Sequence, residues 1–250
     1  MASRGAFNIG RFLYHATSQE VGSKSDRLHV PSLSQPFFVT DNLDMAMYYV
    51  LEFDYTSVFI FTCDPKKLAR SSWWIEDPKC MADLQKVLPQ TAELFKTLGN
   101  KTLFDHTVWI NDKTFNLFLK SDTVGLNTVK DKLKLALVNS LVELGLCKIE
   151  ERRKRKVIVP DLKFFDLLEN DDTKCRRMIK SKIFEKICRL GYQAVMDRDT
   201  TGHGFGGFEF GLFDIDLLGN AWSESVYAYK NAIKEIEKKM EDSDGSEGCQ

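Results

Sequence analysis

The chain carries almost no net charge, has no clustered cysteines and contains no long apolar run. Its 35 Lys and Arg against 36 Asp and Glu leave a formal charge of -1 over 250 residues. No whole-molecule field therefore steers it toward nucleic acid or an anionic membrane, and binding to either must be local. The six cysteines (Cys63, Cys80, Cys147, Cys175, Cys188 and Cys249) include no Cys-x-x-Cys pair, so neither a metal-ligand set nor a disulfide framework is expected. A reducing compartment suits them. No apolar stretch approaches the ~20 residues of a bilayer span, and residues 1–10 lack the apolar centre of a signal peptide. The expectation is a soluble, cytoplasmic protein with no membrane partner; nuclear residence and delivery into a host cell are the alternatives. Internal repeats are absent too.

Apolar material is nonetheless ample. At 43% hydrophobic and 12% aromatic, the chain is long enough to bury a large core. We expect one domain over residues 1–240 with a mainly helical insertion at about 77–156, followed by an acidic, disordered tail at 241–250. Oligomeric state is not legible.

Two short pieces near the start hold most of the chemistry. Phe12-Leu13-Tyr14-His15-Ala16-Thr17-Ser18 reads as a strand delivering an imidazole to its end. Pro36 to Val50 reads as a strand of aromatic and branched residues, then a helix whose first amides Asp41 can cap. On that helix Leu43, Ala46, Met47 and Val50 form the buried face, with Tyr48 and Tyr49 on opposite flanks. Periodicity does not choose between the tyrosines. Taken alone, His15 is a structural histidine and the aromatics are core.

Further on, Thr56 to Cys63 is a continuous apolar run that reads as a strand covered on both faces, and Trp73-Trp74 as core. From about Asp77 to Lys156 the spacing turns helical. Met81, Leu84, Val87 and Leu88 make one stripe, and Leu133, Ala136, Leu137, Ser140, Leu141 and Leu144 make another, stopped by Gly145; residues 106–119 are ambiguous. The basic run from Arg152 to Lys156 follows Glu150 and Glu151 and reads as a solvated loop edge.

Asp172 to Leu190 reads as an amphipathic helix with Ile179, Ile183 and Ile187 inward and Gly191 as its stop. Strands are expected at Gly191–Asp197 and Phe208–Asp214, on either side of a loop with glycine at 202, 204, 206 and 207. No helix opens after that loop and no Gly-Lys-Ser/Thr is present, so it is not a phosphate cradle. Glu209, between Phe208 and Phe210, is an unusual place for a charge, because burying an ionised group without a partner is costly. Ala221 to Met240 reads as a helix with Val226, Tyr229, Ile233, Ile236 and Met240 on one side.

Together these pieces resemble the ADP-ribosyltransferase fold, in the diphtheria-toxin-like and poly(ADP-ribose)-polymerase-like branch that uses a His-Tyr-Glu set. That family opens on a Tyr-His-Gly-Thr-like strand, matched by Tyr14-His15-Ala16-Thr17. An aromatic-aromatic-x-Thr-Asp-like strand follows, matched by Phe37-Phe38-Val39-Thr40-Asp41, with Tyr49 eleven residues after Phe38 where the family has its second tyrosine. It closes on a Leu-Gly-Tyr-Asp-like turn and a Glu-x-x-x-Phe-Asp strand, matched by Leu190-Gly191-Tyr192 and by Glu209 to Asp214. The first tyrosine of the set is Phe38 here, which keeps a ring and loses a hydroxyl. The match spans roughly residues 11 to 70 and 185 to 218.

The resemblance implies an α+β fold, a split antiparallel β-sandwich holding NAD in its cleft. It implies an NAD-dependent ADP-ribosyltransferase that moves ADP-ribose to a protein or nucleic-acid acceptor and releases nicotinamide. Glu209 and His15 would be its catalytic pair, and His15, Ala16, Thr17, Phe38, Thr40 and Tyr49 would bind NAD, which is substrate rather than resident cofactor. Phe38 and Tyr49 would hold the cationic pyridinium by stacking and by its attraction to ring quadrupoles. Glycine at 207, where arginine-modifying relatives place a second glutamate, disfavours arginine as acceptor. Two alternatives stand beside this reading: an inactive module of the same fold that binds NAD or ADP-ribose, and an RNA 2'-phosphotransferase-like enzyme.

Overall fold

The computed structural model describes residue 9 and residues 11–18, 36–99, 102–119, 121–198 and 204–225, with 229 and 234 as single residues. In chain order its elements begin with β1 (Phe12–Thr17), β2 (Phe37–Thr40), α1 (Leu43–Glu52), β3 (Ser57–Cys63), α2 (Pro65–Ser71) and β4 (Ser72–Trp74). Next come α3 (Pro78–Val87), α4 (Pro89–Leu98), α5 (Leu103–Phe118), β5 (Val124–Gly125), α6 (Lys132–Glu143), β6 (Cys147–Arg152) and β7 (Arg155–Pro160). The last are α7 (Leu162–Asn170), α8 (Asp172–Arg189), β8 (Ala194–Arg198), β9 (Phe208–Leu212) and β10 (Leu218–Ser225). Contacts divide the chain into two units: the first takes in Pro36–Ser72 and Gln193–Gln250 with the amino-terminal segment, the second Trp73–Tyr192.

The first unit is built on a curled antiparallel sheet. Its strands run in the order β10-β3-β1-β2-β9-β8. β3 carries five successive buried residues, Ser57 to Phe61, because both of its faces are covered; this is why its sequence is a run rather than an alternation. β1 pairs with β3 over six residues, from Phe12 opposite Thr62 to Thr17 opposite Ser57. The link from β1 to β2 is thin, Tyr14 opposite Thr40. β9 then lies between β2 and β8, with Glu209 opposite both Thr40 and Asp197.

α1 lays Ala46, Met47 and Val50 on Val58 and Ile60 of β3, as its spacing predicts. Its cap corrects the sequence reading. Asn42, not Asp41, is the cap: its side-chain oxygen accepts from the amides of Asp44 at 2.8 Å and Met45 at 3.2 Å. Asp41 is turned to another partner, the amide of Phe208 at 2.7 Å. At the other end Phe53 caps, Asp54 takes a left-handed φ of 54°, and the Tyr55 amide reaches back to the Val50 carbonyl at 2.9 Å. That is a Schellman stop with aspartate where glycine is usual.

Residues 221–225 are also corrected. They are strand, the end of β10, with Trp222 opposite Ile60; an edge position next to an apolar strand overrides the helical spacing. Tyr229 packs on the α1 core, while Val226, Ile233, Ile236, Met240 and the tail at 241–250 lie outside the described residues.

The second unit holds α3 to α8 and a three-stranded sheet ordered β5-β7-β6. Aspartates at 77, 131, 161 and 171 cap α3, α6, α7 and α8. Cys80 rather than Val87 completes the buried side of α3 with Leu84. The ambiguous 106–119 stretch belongs to α5, and Gly145, at a φ of 70°, stops the helical run as expected. Beyond it the helical expectation fails: β6 and β7 form a hairpin, and the basic run is its turn, with Arg153 and Lys154 at φ of 51° and 64°. Ile179, Ile183 and Ile187 are buried in α8, which Gly191 follows at a φ of 88°. Among the described residues no helix is long and apolar enough to cross a membrane.

Candidate functional site

A cavity of about 280 Å³ opens in the first unit where β1, β2 and β9 meet α1. It is lined by Tyr14, His15, Ala16, Phe38, Val39, Thr40, Ala46, Tyr49, Phe53, Tyr55 and Glu209. The structure thus gathers six of the seven residues singled out from sequence, namely His15, Ala16, Phe38, Thr40, Tyr49 and Glu209. Thr17 is not among them; it sits at the end of β1, where its carbonyl accepts from the Thr56 amide at 3.1 Å.

Each position has a local cause. His15 is held by its own strand and its neighbour: Nδ1 donates to the Phe38 carbonyl at 2.7 Å, and the ring lies 4.5 Å from that of Phe37. A carbonyl can only accept, so Nδ1 carries the proton of this bond, and in the neutral tautomer Nε2 is the acceptor nitrogen. Phe38 owes its room to Gly211 directly across the β2–β9 ladder, where an added methyl would meet Val195 at 3.0 Å and the Phe38 ring at 3.2 Å.

Glu209 lies in an interior strand and is 8% exposed. Its Oε1 accepts the Tyr49 hydroxyl at 3.2 Å, which joins the helix to the strand across the cavity. Asp197, 2% exposed, stands opposite Glu209 on β8. Residues directly opposite share a face of an antiparallel sheet, so two buried carboxylates stand on one face beside the cavity.

The loop before β9 is latched to the β2–α1 turn. Asn42 Nδ2 donates to the carbonyls of Phe205 at 2.9 Å and Gly206 at 3.1 Å, and the Asp41 amide donates to the Phe208 carbonyl at 3.1 Å. Gly207 sits inside this latch at a φ of 86°, where a Cβ would fall 2.7 Å from Asn42 Cβ and 2.8 Å from Asp41 Oδ1. The absence of a second glutamate at 207 is therefore also a steric requirement.

Sequence reasoning missed Phe53 and Tyr55, although Tyr49 and Phe53 are four apart and so share a helix face. Their rings form a row: Tyr49 to Phe53 is 6.1 Å and nearly parallel, Phe53 to Tyr55 is 5.6 Å and tilted. Among the described residues no group of three or more His, Cys, Asp or Glu is arranged to hold a metal ion. Compared with known proteins, the chain matches no family model, no curated protein and no solved structure.

Proposed function

We propose that the cavity receives the nicotinamide end of NAD and that the protein transfers ADP-ribose to a macromolecular acceptor, releasing nicotinamide. In this reading the curled sheet is the split sandwich of an ADP-ribosyltransferase fold, with the thin β1–β2 link between its halves. The observation that carries it is the meeting of His15, Phe38, Tyr49 and Glu209 around one cavity, from positions far apart in the chain. A volume of about 280 Å³ is near the lower end for ligand pockets, so the pyridinium and its ribose lie inside and the adenosine half extends out.

The chemistry follows from the side chains. The glycosidic bond from the anomeric carbon to the pyridinium nitrogen breaks, and its electron pair returns the ring to neutral nicotinamide. Positive charge develops on the sugar, as in glycoside cleavage. Glu209, aimed by the Tyr49 hydroxyl, stabilises that charge and accepts a hydrogen bond from the ribose. The acceptor's oxygen or nitrogen then bonds to the anomeric carbon and gives up its proton to water. His15 Nε2 accepts from a ribose hydroxyl, and Phe38 and Tyr49 flank the ring.

A binding module without turnover is the second reading, favoured by one residue: Phe38 brings a ring without a hydroxyl. RNA 2'-phosphate transfer is disfavoured, because no Lys or Arg is among the described residues that line the cavity. Glu209→Gln separates the first two readings. Calorimetry should find NAD affinity changed by less than about three-fold, while nicotinamide release falls at least about 100-fold, the scale of losing one electrostatic partner of a transition state. Equal loss of binding and turnover contradicts the role given to Glu209.

A further inference from the structure

The second unit holds a cavity of its own, of about 470 Å³, where α5 and the start of α6 meet the segment leading from β5 into α6. That volume lies within the usual range of small-molecule sites. α5 contributes Trp109, Lys113, Asn116 and Leu117, which the helical repeat puts on one face. α6 contributes Leu133, Lys134 and Leu137. The connecting wall is tied in place. Val124 and Gly125 pair with Ile158 and Val157 of β7, the Thr128 hydroxyl donates to the Gly125 carbonyl at 2.6 Å, and the Val129 amide donates to the Leu126 carbonyl at 3.1 Å.

The apolar lining is left partly wet. Leu137 is buried, but Trp109, Leu117, Val124, Val129 and Leu133 are each only half-buried, so a ligand's apolar body would take their remaining surface out of water. Charge adds a preference of sign. Two ammonium groups, Lys113 and Lys134, face one carboxylate, Asp131, among the described lining residues. Both lysines are exposed, and among the described residues neither joins an ion pair. Lys113 Nζ lies 6.0 Å from the centre of the Trp109 ring, which holds that ammonium beside the aromatic wall. Asp131 is already engaged: its side chain accepts the amides of Leu133 at 2.8 Å and Lys134 at 3.2 Å, and the α6 dipole offsets its charge.

We propose that this cavity binds a small organic anion, an aromatic carboxylate or sulfonate. Its ring system lies against Trp109, Leu133 and Leu137, and Lys113 and Lys134 take its charged group. The site belongs to the second unit and does not rest on the NAD reading of the first.

A pair of probes of one shape and different charge tests this. Titration calorimetry on the full chain would compare 2-naphthoate with 2-naphthamide, which keeps the ring system and has no charge. The wild type should bind naphthoate at least about three-fold more tightly, the scale of two exposed ion pairs. That margin should narrow as salt rises from about 0.05 M to about 0.5 M. The double variant Lys113→Gln/Lys134→Gln alters only exposed side chains, so its urea midpoint should match the wild type's. It should bind both probes equally, with its affinity for naphthamide unchanged. Trp109→Leu should weaken both probes. Equal affinities in the wild type, a preference that survives the loss of both lysines, or binding of neither probe below about 5 mM would overturn the inference.

Discussion

Gly207 and Glu209 show how tightly single residues are specified around the cavity. Gly207 combines a left-handed φ of 86° with side-chain atoms of Asn42 and Asp41 at 2.7 and 2.8 Å from an added Cβ, so Gly207→Ala must push both side chains away. Overpacking and φ strain together should cost about 2–4 kcal/mol, read as a shift in the urea midpoint. Because Asp41 also holds the Phe208 amide, NAD affinity should weaken in the same variant. Ordinary stability with unchanged affinity would show that the latch is unimportant. Tyr49 joins helix and strand through the bond from its hydroxyl to Glu209, a contact that its spacing from Phe38 did not announce.

At the scale of elements, the ends of α1 decide what the cavity contains. Its start was partly legible: adjacent Asp41 and Asn42 are equally good caps by type, and the Phe208 amide, 167 positions beyond Asp41, is what separates their roles. Its end was not legible, because a Schellman stop without glycine leaves no sequence mark, and Phe53 and Tyr55 went unnoticed with it. Asp54→Gly should therefore leave the fold intact and raise stability by up to about 1 kcal/mol in thermal unfolding. A loss of that size would mean that the aspartate side chain is needed at this turn. The hairpin of β6 and β7 was hidden for a similar reason: its turn uses Arg153 and Lys154 in left-handed conformations, without the Asn-Gly that announces such turns. α8 was readable because Ile179, Ile183 and Ile187 repeat at a helical period and all three are buried.

Over the whole molecule, charge is balanced in total and sorted locally. The basic run lies at the hairpin turn of the second unit, where Glu150 pairs with Lys148 and Arg152, while no basic residue is among the described residues lining the cavity of the first unit. The second unit also carries an acid-sensitive tie. Asp83 accepts from the Lys86 ammonium at 2.7 Å and from the Tyr192 hydroxyl at 2.9 Å, and these bonds, Lys86 first, pull its carboxyl down to about 2 from an ordinary 3.8. A group lowered on folding stabilises above its unfolded value and loses that contribution as pH falls toward its folded one. Unfolding stability should thus decline between about pH 4 and 2, and Tyr192→Phe should shrink the decline in chemical denaturation. The five described cysteines are free thiols, and burial foremost raises Cys147 and Cys175 to about 12. The mixed α+β class holds as expected; the continuity of the curled sheet was not legible, because it turns on one pairing, Tyr14 with Thr40.

Nicotinamide release from NAD, by the purified full chain alone and with a cell lysate, tests the central claim most directly. The account predicts release that rises with lysate, as an acceptor becomes available, and that is lost in Glu209→Gln. Release that is absent under both conditions, from protein that is folded and binds NAD, would contradict transfer and leave a binding module.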